Sequence, residues 1–562
     1  MDRLRTPSLP LPINPSSFLL HTLLPIFLVL TTFGPGYQTI SSFAIIYFPL
    51  SVYYIRTCTR WWWIFLFYIM NSIGFMLAYM NTMNLGDDLR SYKGITFGIG
   101  LIVSLIILIP YVFDRIAQSK FSSDGWARIL IFPCVWTGIW TIFLFSWPLG
   151  DWGNYAFTLL NYEEIMQLAS FAGLGGINFI LSWSGPVGSD IIYYHVTKNQ
   201  NSSTATTSTG SIVVDEVSIE DNSTDTVLRH PPTRTPKRSL TLPTFINSLS
   251  IYIFVLFLVI TYGSIRLNTS FIPFYQKSIK ETFPQELVNF GCVIGNSDNQ
   301  IDDYMSYVNL TQNLAISGNK IILWSEAMTG IINETDLNSL YESIRNISIS
   351  YNVYIGFTYV DVTNLNTTIY NKQVVINNKG DVVIDYKKSN LVPFVEANFI
   401  TKGNNKLQTF QSEDFGIIGS AICFDFDFPK LIGQAPSKKV NLMLDSSNTW
   451  GKYRPVGPLH ARMNSIRSIE NGFTIFRCNS DGVSGIWNQY GQPLHYIPTA
   501  NTNTTTFQVP INVVKNRVKT VYSVFGETFG WICVGGIGIY LIVIVVAIKG
   551  SDQWKARIIH WS

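Results

Sequence analysis

Three stretches of this sequence offer side chains that could do chemistry together. Glu326 closes an apolar run, IILWSE, which delivers a carboxylate to a strand end. Lys387 and Lys388 sit in DYKKSNLVPFVE. Cys423 sits in GSAICFDF, an apolar run that leads into a turn ahead of Pro429. Carboxylate, ammonium and thiol are the groups from which a proton acceptor, a charge stabiliser and a nucleophile are made. Each also has an ordinary reading. A glutamate after a strand is usually solvated, a lysine pair is usually surface, and a cysteine ending an apolar strand is more often packing than nucleophile.

Order and setting distinguish these residues. Glu, Lys and Cys follow one another at intervals of about 60 and about 35 residues within one stretch of α/β texture. That arrangement resembles the carbon–nitrogen hydrolase (nitrilase) superfamily, and within it the apolipoprotein N-acyltransferase family. The family's W-P-E-x-A is WSEAM here, Trp324 to Met328. Its Y-x-K-x-H-L-V-P-F-G-E is YKKSNLVPFVE, Tyr386 to Glu396, and its I-C-Y-E is ICFD, Ile422 to Asp425. SSNTW (Ser446 to Trp450) and RSIENGFTIFRCNSDG (Arg467 to Gly482) stand where the family has S-N-D-x-W and R-A-x-E-x-G-R-P-x-x-R-x-x-N-x-G. GINFIL, Gly176 to Leu181, is similar to the family's stretch in its sixth span. The likeness covers the chain apart from residues 185–244.

The resemblance implies a catalytic triad of Glu326, Lys388 and Cys423. It selects Lys388 over Lys387, because Lys388 lies two residues after Tyr386 and three before Leu391. It aligns Glu396 with an active-site carboxylate and places Phe424, Asp425 and Trp450 beside the centre. In the implied chemistry Glu326 takes the proton of Cys423, which attacks an ester carbonyl and forms a thioester. Lys388 and the backbone N–H of Phe424 stabilise the oxyanion, and an amine then takes the acyl group. Phe424, Asp425, Asn390 and Val395 depart from the family's Tyr, Glu, His and Gly. These departures spare the triad and bear on the acceptor and the reach of the pocket. The Ser/Thr-rich loop and the sequons resemble eukaryotic sequence, so the family's own acceptor is not carried over.

The elements that must position these residues lie between about 285 and 512. Short β-rich runs such as KIILWSE, NVYIGFTYV, FGIIGSAICF and VNLMLD alternate there with helical stretches. Residues 377–380, Asn-Asn-Lys-Gly, read as a hairpin turn. Pro458 to Asn471 has helical period and ends at Gly472, a C-cap. The expected fold is a nitrilase-type α/β domain, an αββα sandwich, inserted before the last span of a polytopic α-helical membrane protein. The aromatic run at 394–400 reads either as a lid at the membrane surface or as ordinary rim packing.

The membrane assignment comes from composition and apolar runs. Among 562 residues 47% are apolar and 13% charged, against about 25% charged in soluble domains. About eight runs are long enough to span: roughly 17–33, 37–55, 61–80, 94–113, 128–148, 164–184, 245–265 and 528–548. The first six form an N-terminal membrane domain, 1–184. Residues 185–244, polar and rich in Ser, Thr and Pro, read as a disordered loop. The span at 245–265, the catalytic domain at 285–512, the span at 528–548 and a cytosolic tail at 549–562 complete the organisation. Arg56, Arg60, Arg115, Lys120 and Arg128 fall on one side, and only Arg90 and Lys93 in the short loops opposite. That bias puts the catalytic domain on the non-cytosolic, lumenal or extracellular, face. Sequons at Asn268, Asn309, Asn333, Asn346, Asn366 and Asn503 agree and suggest a glycoprotein.

A net charge of +3 does not suggest a nucleic-acid partner. Six cysteines make no disulfide framework, and Cys292 and Cys478 read as core. The six histidines show no metal-ligand spacing, and no cofactor is expected. The favoured reading is a membrane-bound N-acyltransferase. Its donor is a membrane phospholipid and its acceptor an amine, on a protein N-terminus or an amino-lipid. The alternatives are a tethered amidase with the same triad, or a transporter or receptor whose nitrilase-like domain binds a ligand.

Overall fold

The two halves of the chain use apolar residues with different periods, and this divides the molecule. The computed structural model describes residues 17–35, 39–58, 60–80, 89–120, 127–207, 242–268, 287–294, 304–331, 333–364, 368–393, 395–449, 456–499, 505–512 and 517–549. Apolar runs form helices α1 (Ser17–Phe33), α2 (Ser41–Thr57), α3 (Trp61–Tyr79), α4 (Leu89–Lys120) and α5 (Ala127–Ser146). A short α6 (Glu163–Met166), then α7 (Ala169–Thr207) and α8 (Leu242–Leu267), follow.

The expected loop at 185–244 begins too early. Helix α7 runs through Pro186 to Thr207, and residues 208–241 lie outside the described residues. A helix that packs on α2 and α5 overrides the polar composition of its last turns, because tertiary packing outweighs local propensity. Aromatic side chains fill the helical core, with Phe48 edge-on to Trp136 at 4.8 Å between ring centres. At one end, Arg56 pairs with Asp114 and Asp190, and Arg128 also pairs with Asp190. Four helices are clasped there with their charges compensated.

In the second half the chain alternates strands and helices. The strands are β1 (Leu287–Val293), β2 (Asn319–Trp324), β3 (Gly330–Ile331), β4 (Tyr354–Asn364), β5 (Thr368–Ile376), β6 (Val382–Lys387) and β7 (Gln408–Ser412). They continue as β8 (Gly416–Ile422), β9 (Leu442–Ser447), β10 (Thr474–Asn479), β11 (Val483–Trp487), β12 (Pro493–Pro498) and β13 (Thr506–Asn512). Two sheets result, one ordered β13-β1-β2-β4-β5-β6 with β3 beside β4, the other β12-β11-β10-β9-β8-β7. Period two sorts the side chains. Ile321 and Leu323 of β2 face the second sheet, among Leu442 and Leu444. Ile322 and Trp324 face outward onto Leu340 and Ile344, on helix α10 (Glu334–Tyr351), which follows α9 (Tyr304–Ile316).

The other outer layer is α12 (Val456–Asn471), which follows a short α11 (Pro429–Ile432). Its Met463, Ile466 and Ile469 pack into the core of the N-terminal helices, so this αββα sandwich has one helical layer against that helical bundle. The expected cap is present: Gly472 adopts φ +74, and its N–H reaches Ser468 O at 2.7 Å. The hairpin at 377–380 forms between β5 and β6, with Gly380 at φ +86. A short α13 (Tyr522–Phe525) leads into α14 (Thr528–Lys549). Five helices among the described residues are long and apolar enough to cross a membrane: α3, α4, α5, α8 and α14.

One expectation is corrected outright. Cys292 and Cys478 are not separate core residues; they form a disulfide, with Cα atoms 5.6 Å apart. It ties β1 of one sheet to β10 of the other, 186 residues away in sequence. The sequence marks each cysteine as an apolar strand residue, and only the stacking of the sheets brings them together.

Candidate active site

Glu326 stands just beyond the end of β2, and its N–H reaches across to Ser447 O of the other sheet at 3.3 Å. The next residue, Ala327, is at φ +52, which turns the chain sharply and leaves the carboxylate facing between the sheets. Oε1 accepts from Lys388 Nζ at 2.7 Å and from Asn371 Nδ2 at 2.8 Å. Oε2 accepts the backbone N–H of Asn448 at 3.0 Å.

Lys388 follows β6. Its ammonium lies between two carboxylates, 2.7 Å from Glu326 and 2.7 Å from Glu396. Glu396 is held in turn by Val392 N–H at 3.0 Å. Strand alternation separates the lysine pair: Lys387 points away and sits over the Tyr370 ring at 3.7 Å.

Cys423 follows β8 and begins a short 3₁₀ helix, Cys423–Asp427. It adopts φ +48, a conformation that costs a non-glycine residue about 1–3 kcal/mol and clusters at reactive sites. The thiol Sγ is 3.6 Å from Asn448 O, so Asn448 touches Glu326 through its N–H and Cys423 through its C=O. Asp425 joins the lysine segment to this turn. It accepts from Tyr386 Oη at 2.7 Å, from Asn390 N at 2.8 Å and Nδ2 at 2.9 Å, and from Ile422 N at 3.2 Å. The Asn390 departure is thus accommodated, since its amide still donates to the carboxylate beside Cys423. Trp450 lies outside the described residues.

Burial sets the electrostatics. It raises the pKa of Glu326, with Glu396 adding to the rise and the Lys388 ammonium opposing it. For Lys388 burial works downward, but Glu326, Glu396 and Cys423 outweigh it and hold the pKa well above its ordinary value. The Cys423 thiol is pushed well up, first by burial and then by the Glu326 charge. Burial brings Asp425 up to about 6 against the donors around it. The resting centre therefore holds a neutral thiol and a fixed ammonium, with a carboxylate whose proton affinity exceeds the ordinary.

A cleft opens over Cys423, enclosing about 1190 Å³ free of atoms, its mouth included. Phe75, Ile99, Val103 and Trp140 wall it from α3, α4 and α5, while Val395 and Phe424 wall it from the catalytic domain. Phe424 is braced edge-on by Phe428 at 5.1 Å. In the 394–400 run Glu396 is buried, whereas Phe399 is 60% exposed. Asn371 and Asn448 were not singled out from sequence. Asn448 falls inside the matched SSNTW stretch, which was its signal; Asn371 carried none.

Residues 302–516 match the family model described as carbon-nitrogen hydrolase. The chain is similar to an apolipoprotein N-acyltransferase of Borreliella burgdorferi, 22% identical over 433 residues, covering 70% of this chain and 71% of that one. It is 21% identical over 295 residues to an apolipoprotein N-acyltransferase of Rickettsia prowazekii, covering 49% and 57%. It is 30% identical over 157 residues to a "hydrolase in agr operon" of Staphylococcus lugdunensis, covering 27% and 63%. The chain spans less than two thirds of the length of these last two relatives. Among solved structures it resembles an amidase from Nesterenkonia sp. with a TM-score of 0.36 and 15% identity, covering 42% of this chain and 93% of that one.

Proposed function

The chain belongs to the apolipoprotein N-acyltransferase family of the nitrilase superfamily, and from that premise we propose that it is a membrane-bound N-acyltransferase working through a Cys423 thioester. The observation that carries the reading is the cleft. Its apolar wall comes from membrane helices, and its floor holds a thiol beside a buried carboxylate and ammonium. A diacyl lipid is held in a bilayer by about 0.8 kcal/mol for each buried methylene, so a donor of this class is met where a membrane-facing cleft reaches the nucleophile.

In the first half-reaction Glu326 takes the thiol proton and Sγ bonds to the ester carbonyl carbon. Lys388 and the Phe424 N–H hold the oxyanion. The C–O bond then breaks, and the leaving lysophospholipid alkoxide takes the proton from Glu326. In the second, an amine attacks the thioester carbonyl and Glu326 accepts its proton. The C–S bond breaks and the thiolate is reprotonated. Glu396 fixes the Lys388 ammonium, Asp425 fixes the nucleophile's turn, and Trp450 is assigned a supporting active-site role by its motif alone. The acceptor is an amine on a protein N-terminus or an amino-lipid.

The organisation that fits this reading has about eight spans, with the catalytic domain at 285–512 on the non-cytosolic face ahead of the last. Lysine and arginine placement supports that side. So does the Cys292–Cys478 disulfide, since disulfides persist in oxidising compartments. Exposed sequons at Asn309 and Asn346 are consistent with glycosylation there.

Intact mass spectrometry after incubation with phospholipid tests the proposal. The expected result is a hydroxylamine-labile increment of one acyl chain on the native chain and none on Cys423→Ala. No adduct, with simple amides hydrolysed instead, would overturn it in favour of the amidase.

A further inference from the structure

The turn that carries Cys423 is gripped by a loop that belongs to the membrane domain. Gly150, just past α5, adopts φ +61, and a Cβ there would lie 2.5 Å from Asp427 O. That clearance lets the next residue's N–H, on Asp151, donate to the same Asp427 O at 3.1 Å. Trp152 Nε1 donates to Asp427 Oδ2 at 3.0 Å. The Asp151 carboxylate pairs with Arg467 of α12, whose Nε donates to Phe426 O at 2.9 Å. The Phe426 and Asp427 carbonyls are thereby both held from outside their own 3₁₀ turn.

His460 completes the grip, and its protonation follows from its neighbours. Its Nδ1 is 3.1 Å from Arg477 Nη2. A guanidinium only donates, so Nδ1 accepts and the ring hydrogen is on Nε2. That N–H then donates to Asp427 Oδ2 at 3.0 Å. Burial, and then the Arg477 charge, lowers the His460 pKa well below its ordinary value, which keeps the ring neutral and unfit to serve as an acid near neutral pH. The Trp152 ring stacks on it at 5.9 Å. Both rings also wall the cleft over Cys423. One oxygen of Asp427 therefore receives a donor from each domain. Its other oxygen and Asp151 Oδ1 are both buried without a hydrogen-bond partner.

The geometry points to Trp152, Asp427 and His460 as positioning residues for the nucleophile, with the membrane-domain loop Gly150–Trp152 an integral part of the reaction centre. The thiol's placement then depends on contacts the α/β domain does not supply by itself. A proton shared between the Asp151 and Asp427 carboxyls would satisfy their two facing oxygens. This rests on the acyltransferase reading only for which reaction is measured.

The test uses the full chain in detergent. Trp152→Phe keeps an aromatic wall for the cleft and removes the N–H to Asp427. The expected result is a fall of at least about 10-fold in the rate constant for Cys423 acylation at saturating phospholipid, with the half-saturating concentration unchanged. A residue that merely shaped the cleft would raise the half-saturating concentration instead. Asp427→Asn retains an accepting oxygen for Trp152 and His460 and should stay within about 3-fold of native, whereas Asp427→Ala should fall with Trp152→Phe. A second arm needs no acyl donor: iodoacetamide labelling of Cys423, read on its own peptide, should slow in the same order. If the native chain forms no acyl adduct, the acyltransferase reading fails, and the labelling arm still decides this one. Native rates of acylation and labelling in Trp152→Phe would overturn it. Were that variant not to fold, equal rates in Asp427→Asn and Asp427→Ala would do so.

Discussion

The backbone N–H of Asn448 lies 3.0 Å from Glu326 Oε2, and with the Glu326 N–H to Ser447 O bond it joins the two sheets at the candidate site. Glu326 follows β2 of the first sheet and Asn448 follows β9 of the second. The carboxylate is thus aimed by a backbone group whose own carbonyl faces the Cys423 thiol. Replacing the side chain leaves the aiming bond available to an amide oxygen. Glu326→Gln should therefore fold with native stability and lose about 10²–10⁴-fold in the rate of thioester formation, measured by quenched-flow mass spectrometry. A loss under about 5-fold would remove Glu326 as the base.

Lys388 presents a harsher case. Its ammonium separates two buried carboxylates at 2.7 Å each. Lys388→Met would leave Glu326 and Glu396 facing one another without a cation. Breaking a buried pair in this way costs about 3–5 kcal/mol, and loss of an oxyanion donor costs about 10²–10³ in rate. Both effects should appear, as a lower unfolding temperature and as lost acylation. Lys388→Met combined with Glu396→Gln should recover stability without recovering rate.

Buried carboxyls give the stability an unusual pH dependence. Asp425 is raised to about 6 and Asp427 to about 7, each chiefly by burial, while an unfolded aspartate titrates near 3.9. Between those values the folded chain holds more protons than the unfolded one, so stability falls as pH rises. The contribution is complete below about pH 4 and lost on passing pH 6 to 7, on the order of 3 kcal/mol from each group. The thermal unfolding temperature in detergent should drop between pH 5 and pH 8. Asp427→Asn should flatten that slope, and an unfolding temperature that rose across the same range would refute the assignment.

Much of this centre was legible in the sequence, and the rest fails for a common reason. Strand ends announce Glu326 and Cys423 because continuous apolar runs stop there. The lysine pair is resolved by strand alternation, which sends Lys388 inward and Lys387 over Tyr370. Helix α12 and its Gly472 cap were readable because capping is local. Asn371, the Trp152–Asp427 contact and the Cys292–Cys478 bridge are contacts between distant elements, and no local pattern records which strand end or loop will face which. The start of the polar segment was misplaced for a related reason. Helix α7 persists to Thr207 because a helix already packed on its neighbours extends into sequence that would not form one alone.

The disulfide is one such distant contact with its own test. Closing a loop of 186 residues removes chain entropy worth about 5 kcal/mol in the simplest accounting, with about 2–5 kcal/mol typical of native bridges. Cys292→Ala with Cys478→Ala should unfold at a lower temperature while keeping Cys423 able to take an acyl chain. Purified native chain should show one bridge, lost on reduction only after unfolding, because both cysteines are fully buried. Two free thiols at these positions in chain purified under non-reducing conditions would show that the bridge does not form.

If the cleft holds the acyl chain, as proposed, its wall should limit the chain length accepted. Ile99 and Val103 lie one turn apart on α4 and face the cleft together, and Val103 is otherwise packed in the helical core. Val103→Phe would intrude on the space a long chain needs while leaving Cys423, Glu326 and Lys388 untouched. Each excluded methylene is worth about 0.8 kcal/mol of burial, so loss of two should cost roughly 10-fold. Acylation of Cys423 by long-chain phospholipid should fall by about that factor, and acylation by short-chain donors should be unchanged. Equal losses for both would mean that the substitution disturbed the fold instead of the pocket. No loss for either would place the acyl chain elsewhere and remove the cleft as its binding site.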